Sequence, residues 1–113
     1  MLRITPLIGL ALLTACNDSE EPTSPTTNRG ETISVIASEV FTVELKTVGP
    51  GEYVNPPVIS SGAVRFLTVV DGDPTPGGAT QRFRFQAVQS GRAVITFRHT
   101  GQSPTVQDTV VVQ

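Results

Sequence analysis

From residue 31 onward, large apolar side chains recur at every second position, and that period decides what this chain can fold into. Phe41, Val43 and Leu45 alternate with Thr42, Glu44 and Lys46, and Val64 and Phe66 alternate with Arg65 and Leu67. Phe83, Phe85 and Ala87 alternate with Arg82, Arg84 and Gln86; Ala93, Ile95 and Phe97 alternate with Val94, Thr96 and Arg98. A period of two puts one set of side chains on each face of a strand, whereas an amphipathic helix needs a period of 3.6. No stretch of useful length has the helical period. Two further β-branched runs, 32–37 and 106–112, supply a first and a last strand. Residues 53–60 would be another, but Pro56-Pro57 removes two backbone donors and restricts the run to a sheet edge or an irregular crossing.

Turn residues fall between these runs: Gly49-Pro50-Gly51, Ser61-Gly62, the stretch 71–78, Ser90-Gly91 and the stretch 101–104. Six to seven short strands at this spacing predict an all-β, immunoglobulin-like β-sandwich over residues 31–113. The Cys…Trp…Cys pattern of antibody-type domains is absent, since the chain has one Cys and no Trp. All five phenylalanines fall in strand runs at positions the alternation turns inward. With Ile95, Leu45 and the valines they make a core of about a dozen side chains, each contributing roughly 1.5–3 kcal/mol on full burial. That suffices for a small domain without disulfides.

The N-terminus reads differently. Met1-Leu2-Arg3 is a short positive start, and an apolar stretch over 4–13 ends in Leu13-Thr14-Ala15-Cys16. The stretch is far shorter than the roughly 20 residues a helix needs to cross a bilayer. Positive start, short apolar core and small residues before a cut describe a secretory signal peptide over 1–15. Leu13-Thr14-Ala15-Cys16 resembles the lipobox of bacterial lipoproteins, in which the cysteine is linked to diacylglycerol and becomes the mature N-terminus. The resemblance implies that Cys16 carries the lipid. It also implies a place in the bacterial cell envelope, with the outer membrane favoured because Asn17, not Asp, follows the cysteine. Several acyl chains at about 0.8 kcal/mol per buried methylene anchor what one chain cannot. Residues 16–30 contain Pro22, Pro25 and several Ser and Thr but no large apolar side chain beyond the cysteine, and are expected to be a flexible tether.

Composition excludes several activities. The net charge of −2, with charges that nearly cancel over 31–113, lacks the clustered Lys and Arg of a nucleic-acid-binding surface. One Cys and one His rule out Cys-rich and multi-histidine metal sites, and the lone Cys belongs to the anchor. His99 follows a predicted strand and reads as an exposed loop residue rather than a catalytic base. Asp71-Gly72-Asp73 is followed by Pro74-Thr75-Pro76-Gly77-Gly78 rather than by further acidic ligands, so it reads as a turn and not a calcium loop. No cofactor and no enzymatic activity are expected. Arg82 and Arg84 share one face of a strand, with Arg65 and Arg98 expected nearby; this stripe is a solvated face or a docking surface for an acidic partner.

The order of the pieces resembles the chagasin family of immunoglobulin-like inhibitors of papain-type cysteine proteases. The likeness runs through Gly77-Gly78-Ala79-Thr80-Gln81-Arg82-Phe83-Arg84-Phe85, then Ser90-Gly91-Arg92-Ala93-Val94-Ile95-Thr96-Phe97-Arg98, then the closing Val-rich strand. It implies three loops at one end of the sandwich that cross a protease cleft. The family's middle-loop Gly-x-Gly-Gly keeps its last two glycines as Gly77 and Gly78. Its first-loop Asn-Pro-Thr-Thr-Gly corresponds to Val48-Gly49-Pro50-Gly51-Glu52, with a Pro between small residues. Its third-loop Arg-Pro-Trp corresponds to Arg98-His99-Thr100, with the Arg kept and no aromatic anchor. The expected partner-binding residues are therefore Gly49, Pro50, Gly51, Gly77, Gly78, Arg98, His99 and Thr100, on a monomer whose partner is a protein. The competing expectation is a structural or assembly lipoprotein that docks another envelope protein through an edge strand or the Arg82/Arg84 face.

Overall fold

The computed structural model describes residues 22–24, 28–47, 49–72 and 78–113. Seven strands carry them: β1 (Thr32–Val35), β2 (Val40–Lys46), β3 (Val58–Ile59), β4 (Val64–Asp71), β5 (Thr80–Ala87), β6 (Gly91–Phe97) and β7 (Val106–Val112). They form two sheets, one in the order β1-β7-β6-β3 and one in the order β2-β5-β4. Neighbours pair antiparallel except β1 and β7, which run parallel with Thr32 beside Thr109. The all-β immunoglobulin-like sandwich is thus the observed architecture, and the run broken by Pro56-Pro57 survives as the two-residue edge strand β3.

The inward set of each strand closes the core. Phe41, Phe83, Phe85, Phe97, Ile95 and Val110 are each no more than 1% exposed. Phe97 of one sheet meets Phe83 of the other edge-on, with ring centroids 5.0 Å apart, and Phe41 stacks on Phe85 at 5.4 Å. Both arrangements are favoured for aromatic pairs. Phe66 is only half-buried and packs against this core. A bulge between Phe66 and Thr68 interrupts the β4–β5 ladder. The extra residue, Leu67, faces outward, and the inward position after it passes to Val69.

Pairing direction sorts the connections into two ends. β2 finishes beside the start of β5, with Lys46 opposite Thr80, and Asp71 at the end of β4 lies opposite Gln81. β6 finishes where β7 begins, with Phe97 opposite Val106. One end therefore carries the β2–β3, β4–β5 and β6–β7 connections. The other carries the β1–β2, β3–β4 and β5–β6 turns.

Part of the stretch expected to be a free tether is bonded to the domain. Thr23 pairs parallel with Thr42; Thr42 N–H donates to Pro22 C=O at 2.9 Å, and Ser24 N–H donates to Thr42 C=O at 3.0 Å. Ser24 Oγ accepts from Glu44 N–H at 3.3 Å, and Asn28 holds both backbone groups of Lys46. The flexible-spacer reading does not extend to these residues. β2 is an edge strand whose outward N–H and C=O groups need partners. A polar segment can supply these without burying any apolar surface, which composition alone overlooks.

Candidate functional site

The loop-bearing end is built around Tyr53, the chain's single tyrosine, which is 1% exposed. Its peptide is held by the side chain of Gln81 at the start of β5. Tyr53 N–H donates to Gln81 Oε1 at 2.7 Å, and Gln81 Nε2 donates to Tyr53 C=O at 3.3 Å. The phenol oxygen accepts from Asn28 Nδ2 at 3.0 Å and donates to Pro104 C=O at 3.2 Å. Burial pushes the Tyr53 hydroxyl above the usual tyrosine range, opposed in part by side-chain hydrogen bonds from Asn28 and Ser103. One neutral phenol thus ties the segment before β1 and the β6–β7 loop to the β2–β3 loop.

The first and third loops are zipped together above this tyrosine. Tyr53 and His99 form an antiparallel bridge, flanked by Val54 N–H to Arg98 C=O at 2.7 Å and Thr100 N–H to Glu52 C=O at 2.9 Å. Thr100 Oγ1 accepts from Glu52 N–H at 3.0 Å. Gly51 adopts φ +106°, and a Cβ there would lie 2.8 Å from Gly101 N and 2.9 Å from His99 Cε1. Only glycine satisfies both the conformation and the space. The middle loop joins the first where Thr47 N–H donates to Ala79 C=O at 2.8 Å.

Of the residues expected to meet a partner, Gly49, Pro50 and Gly51 lie together with Arg98, His99 and Thr100 at this end. Gly78 is half-buried with φ +138° in the middle loop, and Gly77 lies outside the described residues. His99 departs from expectation. It is half-buried, its ring stands edge-on to Tyr53 with centroids 4.8 Å apart, and its Nδ1 accepts from Gly101 N–H at 2.9 Å. That bond requires the ring with its proton on Nε2, a buried atom with no hydrogen-bond partner among the described residues. His99 is a strut of the loop, not an exposed loop residue.

The structure also separates the arginines. Arg82 Nε donates to Glu44 Oε2 at 2.7 Å, and Arg65 donates to Gln86 Oε1 from Nε and Nη2 at 3.1 and 2.8 Å. Arg82 and Arg84 line an outer-face groove with Thr23, Thr42, Glu44 and Val70. Arg98 does not join them: it belongs to the other sheet's loop end, beside Val54, Pro56 and Pro57. Arg65, opposite Gln86 on β4, shares the outer face of Arg82 and Arg84, so the stripe is three arginines with Glu44 paired to one of them rather than a cationic field of four. Cys16 and Asp73 lie outside the described residues.

The sequence reading missed Tyr53, Gln81 and Asn28. For Gln81 a signal existed: it shares the inward parity of Phe83 and Phe85, and a polar residue at a core position must find a buried partner. Nothing local marks Asn28, whose partners are 18 and 25 residues away.

No protein-family model matches the sequence, and no curated protein is detectably similar to it. Among solved structures, the chain resembles the crystal structure of the cysteine protease inhibitor EhICP2 from Entamoeba histolytica. The TM-score is 0.61 at 11% identity, over 81% of this chain and 94% of that one. The solution structure of amebosin matches with a TM-score of 0.47 at 18% identity, over 83% of this chain and 100% of that one. The fold is shared with that inhibitor. At this identity the likeness speaks to fold alone.

Proposed function

We propose that the protein is a lipid-anchored, extracytoplasmic binding module that inhibits papain-type cysteine proteases by presenting its three-loop end to the cleft. The observation that carries this reading is the loop end itself. The first and third loops are zipped through the Tyr53–His99 bridge, and the middle loop is joined at Thr47 and Ala79. A surface ordered before binding loses little conformational entropy on association. The sandwich shared with a cysteine protease inhibitor supports the same reading.

In this role Gly49, Pro50 and Gly51 with Arg98, His99 and Thr100 form the leading face, Gly78 flanks it, and Gly77, outside the described residues, is the further contact that the family resemblance implies. Val54 is 42% exposed and, with Pro56, lies beside Arg98. These side chains supply apolar contact area where the family resemblance leads one to look for an aromatic anchor. His99 holds the third loop in shape. The Arg82–Glu44 pair takes charge away from one arginine of the competing docking face.

The test is a titration of the mature chain carrying Cys16→Ser against papain-type proteases with a fluorogenic substrate. Competitive inhibition with a Kd below about 1 μM, roughly 8 kcal/mol of binding, is expected. Absence of inhibition at tens of micromolar across several such proteases would overturn the reading. Lipidation is checked separately by the mass of the N-terminal peptide from the wild-type mature protein, with acyl chains expected on Cys16.

A further inference from the structure

We infer that the end of the sandwich opposite the three loops is a membrane-facing foot, seated on the lipid surface through Ile36 and Val88, so that the loops point away from the bilayer. The inference rests on the lipid anchor at Cys16 proposed above.

Its first support is the direction of the chain. Thr23 pairs parallel with Thr42, and the bonds from Thr42 N–H to Pro22 and from Ser24 N–H to Thr42 fix the local register. β2 runs from Val40 toward Lys46 and the loops. Followed backward from Ser24 to Pro22, the chain therefore heads down β2 toward Val40 and the β1–β2 turn, away from the loop end. Asn28, bonded to Lys46, fixes the other extremity of the same clasp.

The second support is reach. Six peptide steps separate Cys16 from Pro22, at most about 21 Å if fully extended. From Thr42 down to Ser38 is four residues of strand and turn, about 13 Å. The anchor can therefore reach the level of the foot with about 8 Å to spare. To bring the loops to the lipid, the chain would have to double back, and about 17 Å of its reach would be consumed in regaining the level of Thr47.

The third support is the surface of the foot. Ile36 is 66% exposed and Val88 48% exposed. Their segments adjoin, since Ser38 N–H donates to Ala87 C=O at 2.8 Å and Ala87 N–H donates to Glu39 C=O at 2.9 Å. Arg65 and Arg92, both exposed, sit near the starts of β4 and β6 at this end. Glu39, half-buried, is engaged within the turn, its Oε1 accepting Ile36 N–H at 3.0 Å. Apolar tips beside arginines suit the boundary between acyl chains and phosphate head groups. Leu67 and Val70 along β4 and Val54 and Val58 nearer the loops are exposed as well. Exposure alone does not select the foot; the path of the chain does.

The chain contains no Trp, so a single introduced tryptophan reports its own site. Mature lipidated protein carrying Ile36→Trp, Val88→Trp or Gln102→Trp would be inserted into vesicles of phosphatidylethanolamine and phosphatidylglycerol containing brominated phosphatidylcholine. Bromine quenches tryptophan only at close range. Emission at positions 36 and 88 is expected to fall about twofold or more, with little change at 102 in the β6–β7 loop. Combining Ser24→Ala and Asn28→Ala with each reporter is expected to narrow that difference by releasing the clasp. Equal or stronger quenching at 102, or none at any of the three sites in lipidated protein, would overturn the orientation while leaving the anchor standing. An unmodified Cys16 in the mass of the N-terminal peptide would instead overturn the anchor, and the orientation with it.

Discussion

Asn28 holds Lys46 as a neighbouring strand would. Its Oδ1 accepts Lys46 N–H at 2.8 Å while its Nδ2 donates to Lys46 C=O at 2.6 Å. The side-chain amide thus replaces a peptide group beside the last residue of β2, and the same Nδ2 reaches the buried Tyr53 hydroxyl at 3.0 Å. Asn28 adopts φ +55°, a conformation asparagine tolerates better than most residues.

Removing that amide should be costly for a residue outside every strand. Asn28→Ala leaves both Lys46 backbone groups and the Tyr53 oxygen short of a partner. An unsatisfied, partly buried polar group costs about 1–3 kcal/mol, and a loss of roughly 2 kcal/mol is expected in urea denaturation. Asn28→Asp should recover little, because a carboxylate can accept from Lys46 N–H but cannot donate to its carbonyl.

Asp108 makes stability depend on pH with an unusual sign. It faces inward on β7 between Val106 and Val110, is 2% exposed, and accepts Glu31 N–H at 3.0 Å. Burial pushes its carboxyl up to about 6; the Glu31 N–H bond works against this, and the Glu31 charge adds to it. A raised folded pKa means that the folded state holds its proton more tightly than the unfolded chain does. The stability that Asp108 contributes should therefore be fully present below about pH 4, fall as the pH rises through about 6, and level off above. With allowance for solvent screening, the fall is on the order of 1–2 kcal/mol. Asp108→Asn keeps the acceptor for Glu31 and removes the charge. It should flatten this dependence in denaturation curves taken from pH 4 to 7.5, with its benefit confined to the upper half.

Ser38 occupies φ +78° in the β1–β2 turn. The bonds seen there use only the backbone groups of Ser38: its N–H donates to Ala87 C=O, and its C=O accepts from Gln86 Nε2. A left-handed conformation costs an ordinary L-residue about 1 kcal/mol, and glycine adopts it freely. Ser38→Gly keeps both backbone bonds and should raise the midpoint of thermal unfolding by a few degrees, a shift of about 0.5–1 kcal/mol.

Gly51 separates loop geometry from global stability. A Cβ there would drive into Gly101 N and the His99 ring, forcing the first and third loops apart. Gly51→Ala should cost about 1–2 kcal/mol in stability yet weaken protease binding at least about tenfold. Gly62→Ala is the control. That glycine lies at the opposite end, and a Cβ there meets only the flexible Gln89 amide at 3.9 Å. Its affinity should be unchanged.

The amino-acid order by itself determined the sandwich and most of its core. Alternation sets which side of each strand is apolar, and turn residues set where strands stop; both are local and therefore readable. The bulge at Leu67 was not, because a single inserted residue shows only when a neighbouring strand supplies the register. The loop residues could be named from order and resemblance. Only the tertiary structure decided how they are held, since Tyr53 meets Gln81 across 28 residues and Glu52 meets Thr100 across 48. The same holds for the segment before β1. Its composition has no apolar side chain to bury, which read as freedom. The free edge of β2 offered it hydrogen bonds instead, and those depend on which strand lies at the edge of a sheet, something no stretch of sequence carries alone.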